Sequence, residues 1–112
     1  MRNLSMLVLV LASVAAPLAT AAETKIEISS PVDGAKLDAM EQNKLAYNIT
    51  LGDGADHIHV YVDGEEAALL RQMKGSYTME NMSPGNHEVC IKIVNKNHTP
   101  IGVERCIKVT VQ

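Results

Sequence analysis

Apolar and polar residues alternate with a period of two along this chain, in short runs cut by turn residues. "KLAYNITL" sets Leu45, Tyr47, Ile49 and Leu51 on one side, and "TKIEIS" does the same with Ile26 and Ile28. "HIHVYVD" sets Ile58, Val60 and Val62 against His57, His59, Tyr61 and Asp63. A period of two is the repeat of a half-buried strand; a helix would scatter these residues around its circumference. Between the runs, "SPVDG", "GDGAD", "DGEE" and "SPGN" supply Pro, Gly and Asp where the chain must turn. Asp63-Gly64 is a strong hairpin signal. "GSYTMENM", "HEVCIKIV" and "VERCIKVTV" read as further strands; "AALLRQM" suits a short helical turn by propensity, but its context favours a short edge strand. The expectation is an all-β fold, an immunoglobulin-like antiparallel β-sandwich of about seven strands. It lacks two marks of antibody domains, a Trp on strand C and a Cys on strand B.

The strands do not begin at once. "MRNLSMLVLVLASVAAPLATAAET" has a basic residue at Arg2, an apolar stretch from Met6 to Ala16, and small side chains at Ala19 and Ala21. This pattern reads as a secretory signal peptide over residues 1–21, cut after Ala21 or Ala22. The apolar stretch is too short to span a bilayer, so no membrane span is expected in the mature chain. Residues 22–112 then form one domain, expected to be periplasmic or secreted.

Its core must be aliphatic, because the chain has no Phe, no Trp and three Tyr. The formal net charge is −3 and no basic patch stands out, which excludes nucleic acid as a partner on charge grounds.

An exported chain carries its two cysteines, Cys90 and Cys106, into an oxidising compartment, where an even count favours a disulfide. The strands around them can be registered. If Cys90 faces Cys106, Glu88 meets Lys108 and Lys92 meets Glu104 on one face. Val89 then meets Ile107, Ile93 meets Val103, and Ile91 meets Arg105 on the other. One face is charged and one is apolar except at Arg105, as a half-buried hairpin requires. The cross-link closes a loop of about 15 residues, for which chain entropy gives roughly 3 kcal/mol.

His57 and His59 project from one face of strand C. In a sandwich of this type the loop before strand C and the loop between strands F and G share one end. His98, in "NKNHTP", therefore comes near the strand pair, whereas His87 starts strand F at the opposite end. Three imidazoles can hold a transition metal, copper first and zinc second on ligand chemistry, with a position left for water, Asp53, Asp56 or a partner's side chain. Methionines 40, 73, 79 and 82 raise a weaker copper(I) reading, offset by the role of Met as core filler. The competing reading is two polar side chains on a solvated strand face. No nucleophile–base pair or Gly-rich phosphate loop is present, so an enzyme is not expected.

At "HIHVYVDG", "LRQMKGSYTMENMSPGNHEVCIKIVNKNHTPIG" and "IKVTV" the chain resembles small bacterial exported immunoglobulin-like proteins. They share a His-x-His strand followed by Asp-Gly, a Pro-Gly-x-His turn and a His-Thr-Pro loop. The likeness covers about residues 25–111 and points at His57, His59 and His98. It implies an exported β-sandwich rather than a particular activity. Two functions fit: a small binding protein for a metal ion, or an interaction module that docks on an envelope protein without metal.

Overall fold

A computed structural model describes residues 23–112; the expected leader lies outside the described residues. Eight strands follow one another: β1 (Lys25–Ser30), β2 (Ala35–Leu37), β3 (Asn43–Thr50), β4 (His57–Val62), β5 (Glu65–Leu70), β6 (Lys74–Met79), β7 (Gly85–Val94) and β8 (Pro100–Val111). No described helix is long and apolar enough to cross a membrane.

The strands form two sheets, one ordered β1-β3-β6 and the other β2-β8-β7-β4-β5. Their inner faces meet over Ile26, Leu45, Tyr47, Ile49, Ile58, Val60, Met79, Val89, Ile91, Ile93, Ile107 and Val109. Each of these comes from the apolar parity of its strand, and burial of one such side chain contributes about 1.5–3 kcal/mol. Tyr47 is the one aromatic ring in this buried set, and burial pushes its hydroxyl pKa up. Met79 belongs to the same core, Met73 and Met82 pack against it, and Met40 is exposed. These four methionines are core filler or solvent-facing, which removes the sequence argument for grouping them in a copper(I) site.

The β7–β8 hairpin takes the expected register through Glu88–Lys108, Val89–Ile107, Cys90–Cys106, Ile91–Arg105 and Lys92–Glu104. Cys90 and Cys106 are disulfide-bonded on the outer face of the five-stranded sheet. The expected Ile93–Val103 pair does not form. The register breaks after Lys92 and resumes at Val94–Pro100. Gly102, with φ of 89°, lies within the extra length of β8 and supplies a conformation that other residues resist. Arg105, expected to face the core, is exposed.

A second difference is β2, which the alternation did not reveal. Ala35, Lys36 and Leu37 pair in parallel with Val109, Thr110 and Val111. The sandwich is therefore antiparallel except at this edge. Three residues are too few to show a period. The pairing follows because the chain crosses from one sheet to the other after β1, and Asp33 and Gly34 bond to Lys108 as it arrives. At the opposite edge, "AALLRQM" contributes β5 up to Leu70 as an edge strand, as expected.

Candidate metal centre

β4 lies between β5 and β7, so both of its neighbours are strands and its outward side chains are hemmed in. Ile58 and Val60 enter the core; His57 and His59 take the outer face. That face is not solvated here: His57 is 0% exposed and His59 4% exposed. The solvated-face reading is thereby corrected. What covers the pair is the loop between β7 and β8, which brings His98 across from 41 residues away.

The loop is held by one side chain. Asn95 Oδ1 accepts the backbone N–H of Asn97 and of Thr99, at 2.9 and 3.0 Å. The backbone of Asn95 closes the same turn, donating to Thr99 and accepting from His98. His98 adopts φ of 62°, a left-handed conformation uncommon outside glycine but one that His, Asn and Asp take more readily than other residues.

The three rings converge. His57 Nε2 lies 3.1 Å from His59 Nε2 and 3.0 Å from His98 Nδ1, and His59 Nε2 lies 3.3 Å from His98 Nδ1. These nitrogens form a nearly equilateral triangle. Behind them stand two carboxylates. His57 Nδ1 is 2.8 Å from Asp56 Oδ2, and His59 Nδ1 is 3.0 Å from Glu66 Oε1. Arg71 approaches Asp56 from outside at 3.4 Å.

The carboxylates settle the tautomers. An ionised carboxylate only accepts, so the Nδ1 atoms of His57 and His59 carry hydrogen and donate it. In the neutral rings each Nε2 then bears a lone pair, and these two lone pairs face each other at 3.1 Å. A hydrogen on His98 Nδ1 can satisfy one of them. The other lone pair is left facing the centre of the triangle, where a proton or a metal ion can be held.

Two groups of the cluster have shifted titration. The hydrogen bond from His57 holds the Asp56 carboxyl below its usual range, with the charges of His57, Arg71 and Lys96 acting in the same direction. Burial pushes the His59 pKa down, with the neighbouring His57 and His98 adding to the effect and Glu66 opposing it. A histidine kept neutral is a histidine ready to bind a metal.

Of the residues expected at this site, His57, His59 and His98 come together; Asp56 joins as a hydrogen-bond acceptor behind His57 rather than at the open position. His87 sits at the far end, bonded to Asp63 and Ser83. Glu66 was missed. A regular β4–β5 hairpin that keeps the Val60–Ala68 register would pair Tyr61 with Ala67 and turn Glu66 toward the core. A bulge after Val60 pairs Tyr61 with Glu66 instead and turns the carboxylate to the histidine face. Nothing in the alternation of "GEEAALL" announces that shift.

Comparison with known proteins supports the architecture. The chain superposes on the fibronectin(III)-like modules of CbhA from Clostridium thermocellum with a TM-score of 0.65, at 19% identity, over 79% of this chain and 97% of that one. It is an immunoglobulin-like β-sandwich. A lytic polysaccharide monooxygenase from Jonesia denitrificans is similar over 73% of this chain and 60% of its own, with a TM-score of 0.53 and 16% identity. The extracellular domain of a one component system from B. thetaiotaomicron matches over 78% of this chain but 14% of its own, with a TM-score of 0.51 and 14% identity. At such identities the likeness concerns the fold alone. No protein-family model and no curated protein matches the sequence. The sandwich half of the sequence resemblance thus has structural counterparts; its export and histidine motifs have none among these comparisons.

Proposed function

We propose that this chain is an exported binding protein, periplasmic or secreted, that holds one transition-metal ion at His57, His59 and His98 and performs no bond chemistry. The observation that carries the reading is the inward-facing triangle of ring nitrogens, each strand histidine backed by a carboxylate on its other nitrogen. Metal-ligating histidines characteristically donate their second N–H to such a partner, which fixes the ring and raises its basicity.

The separations speak to the ion. With metal–nitrogen bonds of about 2.0–2.1 Å, a tetrahedral ion sets its ligands about 3.3–3.4 Å apart. A planar copper(II) centre with three nitrogens places two of them opposite one another, about 4 Å apart. The observed sides of 3.0–3.3 Å contain no opposed pair, so all three nitrogens lie on one side of the ion they would hold. This favours zinc, or another ion content with a tripod, over planar copper(II), reversing the order suggested by ligand chemistry alone. The fourth position is left to water or to a donor from a partner that delivers or receives the ion.

Calorimetric titration of the purified protein with Zn(II) and Cu(II), beside His98→Ala and a His57→Ala/His59→Ala double variant, tests the site. One equivalent bound by the parent and lost in both variants is the expected result. Equal, weak binding by all three proteins would overturn it and leave the competing role, docking on an envelope protein without metal. Cobalt(II) substitution tests the geometry, since a four-coordinate tripod gives the intense visible bands of tetrahedral cobalt.

A further inference from the structure

We propose that Glu88, Cys90 and Cys106 form a second metal site, closed while the disulfide is intact and opened by its reduction, that takes a thiophilic d¹⁰ cation such as Zn²⁺. The site is independent of the histidines. One ligand atom from each of the three residues lies within 4.8 Å of the others. Glu88 Oε1 stands 3.6 Å from Cys90 Sγ. A tetrahedral zinc with Zn–S of about 2.3 Å needs its two sulfurs about 3.8 Å apart, a separation they can take only once the bond between them is cut.

The placement follows from strand geometry. Cys90 and Cys106 are directly opposite in the β7–β8 register, and Glu88, two residues before Cys90, has the same parity. All three therefore share the outer face of the sheet. Cys106 is an exposed residue and Cys90 a buried one, which makes Cys106 the solvent-facing side of the cross-link. Tyr61, the register partner of Cys90 on β4, separates this cluster from His59 along the same face.

Opening is ordinary thiol–disulfide exchange with a dithiol reductant. A thiolate of the reductant attacks Cys106 Sγ, and Cys90 leaves as a thiolate. The reductant's second thiol attacks its own sulfur in the mixed disulfide and releases the Cys106 thiolate. The reductant departs as a disulfide, having delivered two electrons. Two thiolates and the Glu88 carboxylate then carry enough negative charge to hold a divalent ion, with the fourth position facing solvent.

Cobalt(II) is the probe that separates this site from the histidines, because sulfur-to-cobalt charge-transfer absorption reports thiolate ligation alone. The purified protein is titrated with cobalt(II) in its oxidised form, and again after reduction with a phosphine and anaerobic desalting. The expected result is a charge-transfer band in the reduced protein, saturating at one equivalent, and none in the oxidised protein, whatever the histidines bind. Glu88→Gln, which retains the disulfide during folding, weakens the reduced protein's affinity about tenfold or more. A reduced protein without the band overturns the site. So does a band whose affinity is the same in Glu88→Gln, which would mean that the sulfurs bind without the carboxylate.

Discussion

Glu66 accepts the Nδ1–H of His59 at 3.0 Å because the β4–β5 hairpin slips by one residue between Val60 and Tyr61. The bulge converts an edge-strand carboxylate into the support of a buried imidazole. Glu66→Gln keeps the shape but loses the charge, and should weaken zinc affinity roughly 10- to 100-fold. Glu66 is half exposed, so the change should alter stability by less than about 1 kcal/mol. Calorimetry with zinc and urea unfolding of the same variant separate the two effects. Unchanged zinc affinity would argue that the carboxylate plays no part.

Asn95 fixes the loop that carries His98. Asn95→Ala removes the acceptor of two backbone N–H groups, at a cost of about 1–2 kcal/mol. His98 then samples positions away from the strand pair. Zinc should dissociate faster while the strand histidines stay in place, so stopped-flow chelator competition should show the change chiefly in the off-rate.

His87 and Asp63 form a latch at the opposite end of the sandwich. His87 Nδ1 lies 2.6 Å from Asp63 Oδ2, His87 Nε2 lies 2.6 Å from the Ser83 carbonyl, and Asp63 Oδ1 accepts the Glu88 N–H. Both ring nitrogens face acceptors, which suits the doubly protonated imidazolium. The hydrogen bond to Asp63, then that to Ser83, raises the His87 pKa, while the hydrogen bond from His87 lowers that of Asp63. His87 therefore stabilises the fold fully below its unfolded pKa of about 6.5, and the contribution fades as pH rises through the raised folded value. Asp63 contributes above its unfolded pKa of about 3.9, and that contribution fades as pH falls through the lowered folded value. The latch is strongest in the mildly acidic range between. Urea midpoints measured from pH 5 to pH 9 should fall on the alkaline side in the parent and flatten in His87→Ala. Parallel curves would show that the latch does not titrate.

The disulfide joins residues 16 positions apart. A Cys90→Ala/Cys106→Ala variant should lose about 3 kcal/mol, within the usual spread of 2–4, as a lower urea midpoint. Protein purified under oxidising conditions should show no free thiol before reduction and two after it. Two thiols without reduction would refute the pairing.

The residue pattern is enough to dictate the sandwich, because alternation of apolar and polar residues admits one kind of element and turn residues set its lengths. It also determined the Cys90–Cys106 register, since a slip of one residue would bury Lys108 and Glu104, and it placed His57, His59 and His98 at one end through the order of the strands. Tertiary structure alone decided the rest. β2 exists because an arriving segment meets the free edge of β8, and a three-residue pairing leaves no period to read. Glu66 faces His59 because of a bulge, a departure from the very regularity on which strand reading depends. His57 is dry because a loop far along the chain folds over it. Alternation reports which residues share a face; it does not report what lies on top of that face.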